Sequence, residues 1–89
     1  MDTLVLDIGG DIGALVLHAG PELAEREIEI STGPDEPRSH NQVHARTGFG
    51  HVAYTAVFPS VPAGEYLVWH GETPAKVTIR GGEVTEHHL

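Results

Sequence analysis

The 89-residue sequence predicts one all-β domain over residues 1–89, an antiparallel sandwich of seven or eight strands. In most segments apolar and polar residues alternate with a period of two, which is the pattern of strands that bury one face. Eleven glycines and six prolines interrupt these segments at short intervals. The best helical candidate, Pro21–Arg26, is one turn at most.

Eight segments carry the strand pattern. In chain order they are Thr3–Ile8, Ala14–His18, Glu27–Ser31, Gln42–Thr47, His51–Phe58, Tyr66–His70, Ala75–Arg80 and Val84–Leu89. The last two are expected to form a hairpin around Gly81-Gly82, since two glycines suit the positive φ angles of a type I′ turn. Residues 32–39 hold two prolines, a glycine and three charged residues, which predicts a loop.

The inward positions of these strands give the expected hydrophobic core. Its members are Leu4, Leu6, Leu15, Leu17, Ile28, Ile30, Val43, Val52, Tyr54, Phe58, Tyr66, Val68, Val77 and Ile79.

Charge excludes two classes of partner. The chain has five basic and thirteen acidic residues, which gives a net charge of −8. This charge repels nucleic acid and anionic membranes. No segment approaches the roughly 20 apolar residues of a spanning helix. The first residues also lack the basic and apolar regions of a secretory signal, so the expected compartment is the cytoplasm. The absence of cysteine excludes disulfides and thiolate metal sites.

The segment Phe58–Val68, with sequence FPSVPAGEYLV, resembles a pattern of prealbumin-like sandwiches: an aromatic residue, a bend, Leu-Pro-x-Gly-x-Tyr and a strand. These include the carboxypeptidase regulatory-like domains and the B-type repeats of collagen-binding adhesins. The tail Val77–Thr85 is similar to their closing hairpin. The resemblance implies a prealbumin-like fold, and those domains are mostly spacers and interaction modules. Physically, Phe58 and Tyr66 enter the core from consecutive strands, and Gly64 adopts a conformation that a Cβ would forbid.

Seven histidines raise the possibility of a metal site. Matching inward positions pairs Ala45 with Val52, and this register makes His44 and His51 diagonal neighbours, about 7–8 Å apart at the backbone. With His40, they form a candidate site for Zn or Cu, the metals that imidazole ligands suit. The alternative is a polar, solvated sheet face.

Leu67 and Trp69 form the candidate partner-binding site. They face away from Tyr66 and Val68, so an exposed pair would be an interaction patch. Alternatively, the N-terminal strand or residues 31–41 cover it.

Two functions follow from these candidates: a non-catalytic interaction module that binds a protein or itself, or a histidine-based Zn- or Cu-binding accessory protein. Catalysis is not expected, because Ser31, Ser39 and Ser60 all lie outside a Gly-x-Ser-x-Gly motif. Related hydroxyisourate hydrolases of the transthyretin type end in Tyr-Arg-Gly-Ser, whereas this sequence ends in Glu86–Leu89.

The histidine content predicts association in mild acid. Protonating all seven histidines adds seven positive charges to −8 and leaves −1, close to the sequence pI of about 5.1. We expect reversible self-association or a solubility minimum between about pH 5 and 5.5, because repulsion between molecules is then lowest. Light scattering from about pH 8 to 4.5, with and without Zn, measures this. A monomer throughout that range would contradict it.

Overall fold

The computed structural model describes residues 8–48, 50–71 and 73–89, which form two four-stranded β-sheets arranged as a sandwich. The predicted all-β class is confirmed, and the only helical element in the described part is a 3₁₀ turn at Pro21–Leu23. The strands are β1 (Ile12–Ala19), β2 (Glu27–Ser31), β3 (Ser39–Gln42), β4 (His44–Gly48), β5 (His51–Pro62), β6 (Gly64–Trp69), β7 (Ala75–Ile79) and β8 (Val84–His88).

The strand order is β4-β5-β1-β8 in the first sheet and β3-β2-β6-β7 in the second. All neighbouring pairs are antiparallel except β1 and β8, which are parallel. The first predicted strand, Thr3–Ile8, lies outside the described residues apart from Ile8, which is not in a strand.

The chain changes sheets at Val43. The prediction of one strand over Gln42–Thr47 is wrong, because β3 and β4 lie in different sheets on either side of this residue. The Val43 side chain is fully buried. Its backbone bonds to the turn after β1, with Val43 N donating to the Arg26 carbonyl at 2.9 Å and Glu25 N donating to the Val43 carbonyl at 2.8 Å. A buried apolar side chain therefore fixes the crossover.

The core contains most of the expected residues. Leu15, Leu17 and Phe58 from the first sheet pack against Ile30 and Val68 of the second, while Tyr54 and Tyr66 are only partly buried beside them. Leu4 and Leu6 lie outside the described residues.

The prediction of Val52 as a core residue is wrong, since 53% of its surface is exposed to solvent. It lies near the turn that joins β4 to β5. Among the described residues, β4 packs on β5 and makes at most slight contact with the second sheet. In the part of the chain that the structure describes, the inward face of this hairpin therefore has no opposing layer at its tip. Conversely, Val61 belongs to the core although it was not expected there.

The prediction that the last two strands form a hairpin with each other is also wrong. β7 pairs with β6 and β8 pairs with β1, so the Gly81-Gly82 turn crosses between sheets. A Cβ on Gly81 would lie 1.9 Å from the Gly10 carbonyl oxygen, and Gly82 N donates to the Ile12 carbonyl at 2.8 Å. This backbone contact places β8 beside β1.

Substitution of Phe58 tests the core. Phe58 is 6% exposed within the main cluster, so Phe58→Ala should lower the free energy of unfolding by about 3–5 kcal/mol. Val52→Ala is the matched control on the same strand, and its exposure predicts a change within about 0.5 kcal/mol. Urea titration measures both. Equal effects of the two substitutions would contradict the assignment of the core face.

Candidate interaction site on the outer face of the second sheet

Leu67 and Trp69 lie on the outer face of the second sheet, as the alternation along β6 predicts. Val68 between them is fully buried. The register of β6 and β7 places Lys76 directly opposite Leu67. Leu67 and Trp69 are both half-buried, so neither is a fully exposed patch residue.

The loop after β2 covers the indole of Trp69. The indole Nε1 donates to Ser31 Oγ at 2.8 Å, and Ser31 Oγ donates to the Gly33 carbonyl at 2.7 Å. Arg38 Cζ lies 3.9 Å from the centroid of the indole, which is cation–π geometry. Arg38 Nη1 also donates to Glu29 Oε1 at 3.0 Å. This set of contacts, here called the Trp69 network, ties the loop to the sheet.

Of the two alternatives for this face, the structure therefore shows partial coverage by the segment after β2. Ser31 is itself buried, and its hydroxyl both accepts from the indole and donates to a carbonyl, so no polar atom of this pair is left unsatisfied. Trp69 is consequently held in one orientation by these contacts, whereas Leu67 lines a pocket beside it.

A pocket of about 270 Å³ opens beside Leu67, between the loop and the sheet. One wall is the loop after β2, and the floor and the other wall come from β6 and β7. The lining residues are Thr32, Gly33, Pro34, Glu65, Tyr66, Leu67 and Lys76. An apolar centre flanked by one carboxylate and one ammonium group can bind an apolar side chain and the polar groups next to it.

Tyr66 links this pocket to the core. It packs against the core cluster, and its hydroxyl donates to the Pro62 carbonyl at 2.7 Å. Burial raises the pKa of the Tyr66 phenol above its ordinary value of 10.0. Gly64, before it, has a φ of 151°, as the bend between β5 and β6 requires.

The structure does not bring the three candidate metal ligands together. His40 lies on the outer face of the second sheet, opposite Glu29, and its Nδ1 is 3.5 Å from Glu27 Oε1. His44 lies on the outer face of the first sheet, on the far side of the sandwich. The three histidines therefore cannot share one ion in this arrangement.

The expected register of β4 and β5 is wrong by two residues. Ala45 pairs with Tyr54, so His44 lies opposite Thr55 and His51 opposite Gly48. Four residues along a strand separate the two histidines by roughly 13 Å. Within residues 8–48, 50–71 and 73–89, no three His, Cys, Asp or Glu side chains are grouped so that they could hold a metal ion.

A second histidine cluster was not expected from the sequence. The rings of His18 and His88 stack with centroids 4.6 Å apart and an interplanar angle of 18°. His18 Nε2 is 2.9 Å from Glu86 Oε1. The parallel pairing of β1 with β8 brings these residues together. The sequence prediction paired β8 with β7 instead, so it could not place His88 beside His18.

Three charged residues of this face were not predicted as site residues. They are Arg38 of the Trp69 network and the pocket residues Glu65 and Lys76. A charged residue in a loop or on an outer face is ordinarily solvated, so the sequence offers no reason to select them. The available signal was Ser31, a small polar residue at the end of a strand whose other outward positions are glutamates.

Comparison of the chain with models of known protein families, with curated proteins and with solved structures finds no match. Across the described residues, none of the helical structure has the length and apolar character of a membrane span. The geometry of the outer face is therefore the basis for a functional proposal.

The raised pKa of Tyr66 predicts a loss of stability in alkali. The unfolded chain releases this proton near pH 10, before the folded protein does. Its contribution to stability is therefore complete below pH 10 and is lost as the pH rises through the raised pKa. The stability of Tyr66→Phe should fall less over this range. Phenolate absorbance, taken as wild type minus Tyr66→Phe, gives the midpoint directly, and a midpoint at or below 10 would contradict the burial of this phenol.

Proposed function

We propose that the chain is a non-catalytic interaction module of prealbumin-like architecture that binds a segment of a partner protein at the pocket beside Leu67. The observation that carries this proposal is the pocket itself, which a loop fastened by the Trp69 network holds against β6 and β7. The resemblance of Phe58–Val68 to domains that are mostly interaction modules supports it.

The size of the pocket favours a side chain as the occupant. Its volume of about 270 Å³ lies just below the roughly 300–1,000 Å³ of sites for whole small molecules. One apolar side chain of a partner can fill the space over Leu67 and Pro34. The carboxylate of Glu65 and the ammonium of Lys76 then lie within reach of the partner's backbone or of its neighbouring side chains. This is the arrangement of an interface centre, apolar inside and polar at the rim.

The Trp69 network lowers the cost of binding. A loop that is free before binding must lose conformational entropy when a partner docks. Here the loop is already held by two hydrogen bonds through Ser31 and by Arg38, which lies between the indole and Glu29. A partner therefore meets a wall that is largely formed in the free protein.

No observation favours the metal-binding alternative over this proposal. His40, His44 and His51 lie on two sheets and are separated as described above.

Selection from a random peptide display library tests the proposal. Peptides enriched on the wild-type protein should bind in solution and should shift the amide resonances of Thr32, Gly33, Leu67 and Lys76. Leu67→Glu places a charge in the pocket and should weaken their binding at least about tenfold, as loss of a central interface contact does. Val84→Glu is the matched control, because Val84 is 42% exposed on the first sheet.

The proposal fails if the enriched peptides shift resonances elsewhere, or if Leu67→Glu and Val84→Glu weaken their binding equally. It also fails if no peptide is enriched over a library panned on Leu67→Glu.

A further inference from the structure

Acidic residues are absent from one long part of the chain. All thirteen lie at or before Glu36 or at or after Glu65, so residues 37–64 contain two arginines and three histidines but no carboxylate side chain. This segment forms β3, β4 and β5. In a protein with a net charge of −8, the β4–β5 hairpin is therefore a region that a second copy can approach without facing carboxylates of the same hairpin.

The β4 strand is also an edge of the first sheet. Among residues 8–48, 50–71 and 73–89, the strands at the edges of the two sheets are β3, β4, β7 and β8. Every second residue of an edge strand directs its N–H and C=O away from its one neighbour, which makes an edge a template for another strand. Proteins limit this with proline, lysine, charges or a covering group.

Two of these four edges carry such protection within the strand. The third, β3, is only four residues long and begins two residues after Pro37. β7 follows Pro74 and contains Lys76, and its Thr78 carbonyl accepts a hydrogen bond from Thr85 Oγ1 at 3.2 Å. β8 contains Glu86.

β4 has the least protection. Its sequence, His44–Gly48, contains no proline, lysine or acid. Its one arginine, Arg46, turns across the sheet, with Nε donating to Thr55 Oγ1 of β5 at 2.7 Å. On the other face, Ala45 and Thr47 are exposed beside Val52.

We propose that β4 pairs with β4 of a second copy of this chain, antiparallel about a twofold axis, so that two first sheets join into one eight-stranded sheet. This surface is separate from the pocket beside Leu67, and the proposal does not depend on the function proposed there.

The side chains of β4 select the register. An axis through Arg46 would place two guanidinium groups directly opposite each other, which is destabilising. An axis through Thr47 places Thr47 opposite its own counterpart and Arg46 opposite Gly48. Threonine pairs are favourable across antiparallel strands. This register pairs only Arg46, Thr47 and Gly48 with residues of the other β4, which predicts a weak dimer, with dissociation in the range of transient interfaces.

Sedimentation equilibrium at pH 8 tests the association up to about 0.5 mM protein. The dimer should strengthen with added NaCl, because salt screens the repulsion between two chains of net charge −8. Thr47→Glu places two carboxylates directly opposite each other at the proposed axis and should weaken the dimer at least about fivefold. Thr78→Glu on the β7 edge is the matched control and should leave it unchanged.

A cysteine cross-link tests the register. The chain has no cysteine, so Thr47→Cys introduces a single thiol at the proposed axis, and Thr78→Cys introduces one at the control edge. Under a mild oxidant, Thr47→Cys should form a disulfide dimer much faster than Thr78→Cys. The proposal is overturned if the wild type is monomeric at about 0.5 mM in high salt, if Thr47→Glu leaves the dimer intact, or if the two thiols cross-link at equal rates.

Discussion

The close backbone contact between two glycine turns determines how the sandwich closes. Gly81 lies against the Gly10 carbonyl at a distance that leaves no room for a Cβ, and the Arg80 carbonyl likewise leaves no room for a Cβ on Gly13. Because these turns touch, the chain that leaves β7 passes to the first sheet and runs parallel to β1. The second sheet then keeps β7 as its edge, and the outer face with its pocket lies between that edge and the loop after β2.

Local alternation predicted the fold class and most of the buried faces, because the period of two is a property of each strand alone. It assigned Leu15, Leu17 and Val68 correctly. It failed where burial depends on what lies opposite, as at Val52. It predicted the burial of Val43 correctly, but it predicted one continuous strand there, where the chain changes sheets. The register of β4 and β5 was two residues wrong because a shift of two preserves the faces, so alternation cannot detect it.

The candidate site was predictable in position and not in detail. The outward direction of Leu67 and Trp69 follows from β6, since Val68 between them is apolar and buried. The contacts of Trp69 with Ser31 and Arg38 join parts of the chain that only the pairing of β2 with β6 brings together. The same limit applies to His18 and His88, whose stacking depends on a parallel pair between distant strands.

The pairing of β1 with β8 also governs the order of folding. Among the described residues, β1 is the first strand along the chain and β8 is the last, and β1 pairs on its other side with β5. Each of these pairings closes a long loop, and this closure costs conformational entropy before the native contacts form. By contrast, the β4–β5 hairpin and the β6–β7 pair join neighbouring segments and can form early. During synthesis, the first sheet therefore stays incomplete until β8 has emerged, and β1 meanwhile exposes an edge that only the native fold covers.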